Sequence, residues 1–324
     1  MRLWGGAFPK SVQITLPRGE MPEFALAHHE AGEGWAAVGI TKDAGDDPDV
    51  THGALIVARV SASDGGVVFR AGEGVGTVTK AGLPVPVGEP AVNPVPREMM
   101  QTIVQEMAAY YSQSPDIEIT LSIPGGREIA QKTWNPRLGI QGGLSILGTT
   151  GIVRPFSCAA WVASIHRGVD VARADGLTHV AGTTGATSEQ TIQSLYQLPD
   201  HAMLDMGDFA GGMLKYLSKH PIAHVTIGGG IGKMLKLAQG ALDLHSSRSQ
   251  VDFDALADTL HDPRLKNAHT ALEAYEISGH IMAENIATQA LSKVTAQFGE
   301  HMTFDIVVID RKGSIIARAD GRGL

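Results

Sequence analysis

Three glycine-bearing turns hold the residues best suited to ligand chemistry. The first is Gly182, Thr183, Thr184 and Gly185. The second is Asp205-Met206-Gly207-Asp208, and the third is Gly228, Gly229, Gly230, Ile231 and Gly232. Glycine lets a backbone approach a ligand closely, and a turn that opens a helix presents amide donors to an anionic group. The third turn fails the phosphate-loop spacing. That pattern needs a glycine where Ile227 stands, and Met234 rather than serine or threonine follows Lys233. It also fails the dinucleotide fingerprint, whose sixth position is occupied by Lys233. A nucleoside-type ligand without a pyrophosphate fits better. Asp205 follows the first turn by about 20 residues, where a ribose-binding carboxylate sits in such folds. Taken singly, each turn reads more readily as a tight turn and helix cap, with Ser188 and Asp208 as N-caps; three in succession favour a nucleoside-type ligand.

Two loops in the first half are also unusual. Residues 42–53 place Lys42, Asp43, Asp46, Asp47, Asp49 and His52 between two strands. Aspartate oxygens suit hard cations, but the EF-hand spacing is absent, and Asx turns explain the loop as well. No metal is assigned. Residues 72–90 form a long Gly/Pro loop containing Lys80, and such loops inside compact domains are usually functional. Arg127, Lys132, Arg137 and Arg154 form the best local basic group for an anionic substrate.

These residues must be held by a folded scaffold, and the composition supplies one. The chain has 324 residues, 43% hydrophobic and 19% charged, which allows two domains with aliphatic cores. The net charge of −8, with no basic run, argues against nucleic acid as a partner. No apolar run reaches the roughly 18 residues of a membrane span, and no signal peptide is recognisable, so a cytoplasmic enzyme is expected. The single cysteine, Cys158, excludes an internal disulfide and reads as a small core residue at a helix start.

The first half reads as strands, one helix and a strand. Val12, Ile14 and Leu16 alternate, as do Ile117, Ile119, Leu121 and Ile123; residues 53–60 form a more continuous apolar strand. Pro94 and Pro96 precede a helix with Met99, Met100, Ile103, Val104, Met107 and Ala108 on its core face. This grammar is α+β. The second half alternates strands (178–181, 202–204, 223–227, 304–309) with helices, which predicts a parallel sheet with ligands at the strands' carboxyl ends. The boundary is expected near residues 151–157.

The loops in this order resemble the CbiD family, the cobalt-precorrin-5B C1-methyltransferases. The matching stretches are 42–53, 74–96, 148–155, 183–189, 206–209, and 230–240 with His245-Ser246. The resemblance implies a ribosomal protein S5 domain 2-like α+β domain over 1–154, then a Rossmann-like α/β domain with a short parallel sheet over 155–324. It implies S-adenosylmethionine as methyl donor, at Gly182, Thr183, Thr184, Gly185, Asp205, Gly228, Gly229 and Gly230. The implied partner is a cobalt-precorrin, met by Lys42, Asp46, Asp47, His52, Lys80, Arg127, Arg137 and Arg154, with Asp43 and His245 as candidate bases. Homo-oligomerisation stays open. Family members usually begin with a Gly-Tyr-Thr-Thr-Gly-x-Cys-Ala segment and an alanine-rich helix. Met1-Arg2-Leu3-Trp4-Gly5-Gly6 looks like the end of that helix, so a shortened or differently assigned start is expected. Two rival classes are a nucleotide-dependent small-molecule kinase and a non-catalytic corrinoid carrier.

Overall fold

The computed structural model describes residues 2–148, 150–153 and 155–321, so Arg154 lies outside the described residues. The chain divides into two compact units between Ser157 and Cys158.

In the first unit, β1 (Ser11–Gln13) pairs antiparallel with β2 (Glu23–Ala25). The alternation through Ile14 and Leu16 continues as single hydrogen bonds to Pro22 and Glu20 rather than as regular strand. A five-stranded sheet follows from β3 (His28–Gly32), β4 (Trp35–Thr41), β5 (Leu55–Ala62) and β6 (Val67–Ala71). β7 (Thr77–Val78) belongs to the Gly/Pro loop. Then come α1 (Pro94–Tyr111), β8 (Ile117–Ser122), α2 (Gly126–Ala130) and β9 (Ile140–Gln141), the last pairing with β7. The main sheet runs β3-β4-β5-β8-β6, and only β6 and β8 are parallel. In β8, buried and half-buried residues alternate as period two demands. The helical stripe is narrower than expected: Met100 and Val104 pack on the core and Ala108 is buried, but Ile103 is 44% exposed. Residues 94–111 turn by 3.6 per turn, so Ile103 sits at the edge of the arc centred on Met100 and Val104.

The second unit opens with α3 (Cys158–Ala174) and alternates β10 (His179–Thr183), α4 (Ala186–Tyr196), β11 (Met203–Asp205), α5 (Ala210–Leu217), β12 (His224–Gly230) and α6 (Ile231–Ala238). It ends with α7 (Phe253–Leu260), α8 (Ala271–Phe298), β13 (Thr303–Ile309) and β14 (Ile315–Asp320). Strand order is β11-β10-β12-β13-β14; the first four are parallel and β14 is antiparallel to β13. One face carries Val180, Leu204, Val225, Ile227, Phe304 and Ile306, packed with residues of α3, α5, α6 and α8. The other carries Ala181, Met203, Val307 and Ile309, covered by Ile192 of α4. Strands buried on both faces must be apolar on both, which is why they read as continuous runs. Cys158 does start a helix, but it is exposed rather than in the core: it shares a face with Ile165 and Val169, yet α3 buries residues only from Ile165 onward, so its first turns lie beyond the core. No helix among the described residues is long and apolar enough to cross a membrane.

Candidate functional site

Within the second unit, β11 lies on one side of β10 and β12 on the other. The chain therefore leaves β10 in one direction and returns past it in the other. Successive connections diverge at such a switch point, and the strands' carboxyl ends there border a crevice. Its two lips are the turn after β10 and the turn after β12. Thr183 is in register with both Asp205 and Gly228, so all three end their strands in one row. The structure thus brings together residues of the three predicted turns.

The glycines of those turns do different work. A Cβ on Gly182 would come within 2.4 Å of Met213, on Gly228 within 1.9 Å of Ile192, and on Gly229 within 2.4 Å of Thr184. These three allow sheet, helix and loop to pack closely, so close packing by itself accounts for glycine at these positions. Gly185 and Gly230, each preceding a helix, have open space where a Cβ would stand. Neither expected N-cap forms. The Ser188 hydroxyl, inside α4, donates to the Gly185 carbonyl at 2.7 Å, and α5 starts only after Phe209. Asp208 instead pairs with Lys233 at 3.1 Å.

Lys233 ties the lips together. Its ammonium also donates to the Thr184 carbonyl at 3.1 Å, so one side chain links the β10 turn, the β11 turn and α6. In the sequence the signal for this role is a cation just inside the helix that follows a glycine run, where Lys233 otherwise serves only to exclude a phosphate loop. Thr183 is fully buried, and its Oγ1 has no hydrogen-bond partner among the described residues. A buried unsatisfied hydroxyl costs about 1–3 kcal/mol. Asp205 is half-buried, and its backbone carbonyl accepts from Trp161 Nε1 at 2.9 Å, which anchors the end of β11 to α3.

A cleft of about 440 Å³ is lined by Asp208, Lys233, Lys236, His245 and His269 among others; Thr183, Asp205 and Gly228 do not line it. Lys236 holds the far wall by donating to the Leu244 carbonyl at 2.9 Å. His245 is exposed, with its backbone amide on Asp243 at 3.1 Å and Nδ1 against Ser247 Oγ at 2.7 Å.

In the first unit the 42–53 loop is built from its own polar side chains. Lys42 hydrogen-bonds Asp49 and Thr51, and Asp49 accepts from the Thr51 amide at 2.8 Å. Burial pushes the Asp49 carboxyl up, but hydrogen bonds from Lys42 and Thr51 outweigh it and hold the group below the usual carboxylate range. Asp43 closes an Asx turn on the Gly45 amide at 2.8 Å. Its approach to His52 Nδ1, at 3.8 Å, is no ion pair, because Nδ1 accepts from the Ala44 amide at 3.1 Å. Asp47 accepts from the Phe156 amide at 3.0 Å, and Asp46 is exposed. The Asx-turn account of this loop therefore describes it well.

The expected basic group is divided. Arg127 lines a cleft of about 460 Å³ with Glu73, Thr77, Glu128 and Gln141, which Arg137, Lys132 and Lys80 do not line. Arg137 sits over the Trp134 ring at 5.8 Å, and the Lys80 stem packs where a Cβ on Gly139 would be. Asp43 and His245 belong to different units.

A family model for CbiD matches residues 1–155. A Brucella anthropi protein named cobalt-precorrin-5B C(1)-methyltransferase is 58% identical, over 97% of this chain and 89% of its own length. The Brucella ovis protein of the same name is 57% identical with the same coverage. A crystal structure of the cobalamin biosynthesis protein (cbiD) from Archaeoglobus fulgidus is 27% identical over 74% of each chain, with a TM-score of 0.37. With nearly every residue of the chain aligned at that level of identity, this chain belongs to the CbiD family.

Proposed function

We propose that this chain transfers a methyl group from S-adenosylmethionine to C1 of cobalt-precorrin-5B, giving cobalt-precorrin-6A and S-adenosylhomocysteine, in the cytoplasm. The observation that carries the reaction is the 58% identity with relatives named for it. The donor site is our own reading, supported by the row at the switch point of the second unit, which starts at Cys158 and which we read as Rossmann-like; the first unit we read as S5 domain 2-like.

The donor supplies a methyl carbon made electrophilic by its sulfonium. Around it, Gly185 and Gly230 leave room for close backbone approach, and the first amides of α4 suit a carboxylate. The Asp205 carboxylate suits ribose hydroxyls, and the unsatisfied Thr183 hydroxyl fits a polar ligand group at the same row. Lys233 fixes the separation of the lips. In the first unit, Arg127 and Lys80 are the basic groups we assign to the corrinoid carboxylates. No protein nucleophile is required. The carbon–sulfur bond breaks as the ring carbon's electron pair forms the new carbon–carbon bond, so the protein's work is alignment and exclusion of water. If a proton leaves the ring, Asp43 and His245 are the candidate bases.

The test is incubation with isotopically labelled S-adenosylmethionine and cobalt-precorrin-5B, followed by mass analysis. The expected product carries one labelled methyl group at C1. Unlabelled corrinoid alongside intact donor refutes the reading.

A further inference from the structure

A second cluster lies at the opposite end of the same sheet, away from the glycine lips. His179 begins β10, His224 begins β12, and Asp305 stands near the start of β13. Parallel register makes His179 the neighbour of His224, and Thr226 the neighbour of Asp305. One donor atom from each of His179, His224 and Asp305 falls within 4.8 Å of the others. Asp305 is fully buried and the His224 side chain is 9% exposed, whereas His179 is half-buried.

Hydrogen-bond directions define what stands between these groups. The Thr303 hydroxyl donates to the Ala223 carbonyl at 3.1 Å, so towards His224 it accepts, at 2.9 Å from Nδ1. Nδ1 therefore carries the proton of a neutral His224 ring. Its Nε2 then presents a lone pair to Asp305 Oδ1, 2.8 Å away. Two lone pairs that close repel unless a positive charge lies between them, and that charge is either a second imidazole proton or a metal ion. Thr226 donates to the same Oδ1 at 2.6 Å and therefore accepts from His179 Nε2 at 2.8 Å, which brings the second imidazole against the carboxylate with a proton on Nε2 that a metal bound there would replace. Tyr196 donates to Oδ2, so the carboxylate is oriented from both sides.

We propose that His179, His224 and Asp305 bind a divalent first-row cation of the zinc class, which cross-links β10, β12 and β13. Two imidazoles and a carboxylate are a donor set that suits zinc and its neighbours, whereas magnesium and calcium prefer all-oxygen shells. Thr303 on Nδ1 and Tyr196 on Oδ2 are the outer partners that ordinarily fix the tautomer and aim of metal ligands. Binding opens the short His224–Asp305 contact slightly and displaces the Nε2 proton of His224, and that of His179 where it ligates through Nε2. Arg318, whose Nε is 3.7 Å from Asp305 Oδ2, opposes a cation, but its guanidinium also pairs with Asp320 at 2.9 Å and lies over the Tyr196 ring. This role is independent of methyl transfer.

The experiment is calorimetric titration of the chelator-treated full chain with Zn²⁺ at neutral pH, repeated with His179→Ala and His224→Ala. One tight site per chain is expected, with affinity falling about a hundredfold or more in His179→Ala. Saturating Zn²⁺ should raise the melting temperature of the wild type by about 5 °C or more, and that of His179→Ala by much less. If His224→Ala fails to fold, the half-buried His179 decides the matter. Absence of a tight site, or a tight site unchanged by His179→Ala, overturns the proposal and leaves a buried imidazolium–carboxylate pair.

Discussion

Gly228 and Gly230 stand two residues apart in one glycine run, yet substitution by alanine should affect them in opposite ways. A Cβ at Gly228 would lie 1.9 Å from Ile192 Cδ1 and 3.2 Å from its Cγ1. Ile192 is fully buried between α4 and the sheet, so it has no empty volume into which to rotate. Overpacking of this kind costs about 1–3 kcal/mol. In a unit of this size each kcal/mol shifts the melting temperature by about 2–4 °C. Gly228→Ala should therefore melt several degrees lower while binding S-adenosylhomocysteine normally at a temperature where it is folded. At Gly230 nothing lies within 4 Å of the new methyl, and φ of −67° is open to alanine. Reduced freedom of the unfolded chain gains about 0.4–1 kcal/mol, and the poorer N-cap offsets much of it. Stability should stay within about 0.5 kcal/mol, but the methyl would stand on the lip of the proposed donor site and weaken binding. Thermal unfolding and calorimetric titration with S-adenosylhomocysteine read both quantities. A fully stable Gly228→Ala would refute the packing argument, and an unchanged dissociation constant in Gly230→Ala would remove that lip from the site.

Two other substitutions probe separate links. Asp205→Asn keeps the shape but removes the charge that strengthens hydrogen bonds from ribose hydroxyls, a difference of about 1.5–3 kcal/mol. Affinity for S-adenosylhomocysteine should fall roughly tenfold to a hundredfold, and unchanged affinity would exclude the ribose role. Asp49 has a carboxyl held below its ordinary value of 3.8, so the stability it contributes is present above that value and lost as pH falls through the lower folded-state value. Asp49→Asn should flatten the acid limb of the first unit's stability; an equally steep limb would show that the Lys42–Asp49 contact contributes nothing there.

The βα units of the second half were legible because strands buried on both faces must be apolar throughout, and glycine turns mark their ends. The alternation in 117–122 was legible for the complementary reason, since β8 buries every second residue. β4, β6 and β14 escaped because their burial is partial or their residues mixed: β14 carries Arg318 and Asp320 within its six residues. Local pattern also could not tell Gly228 from Gly230. One glycine's neighbour is Ile192, some 36 positions away along the chain, and only the packing of α4 on the sheet puts it there. Cys158 shows the same limit, since a helix start is a local property but the point along the helix at which burial begins is not. His179, His224 and Asp305 carry no shared motif, being separated by whole βα units. Sequence alone determined which residue types begin and end the strands. Strand order and parallel register decided which of those ends meet, because hydrogen bonding between strands joins residues by height in the sheet and not by distance along the chain.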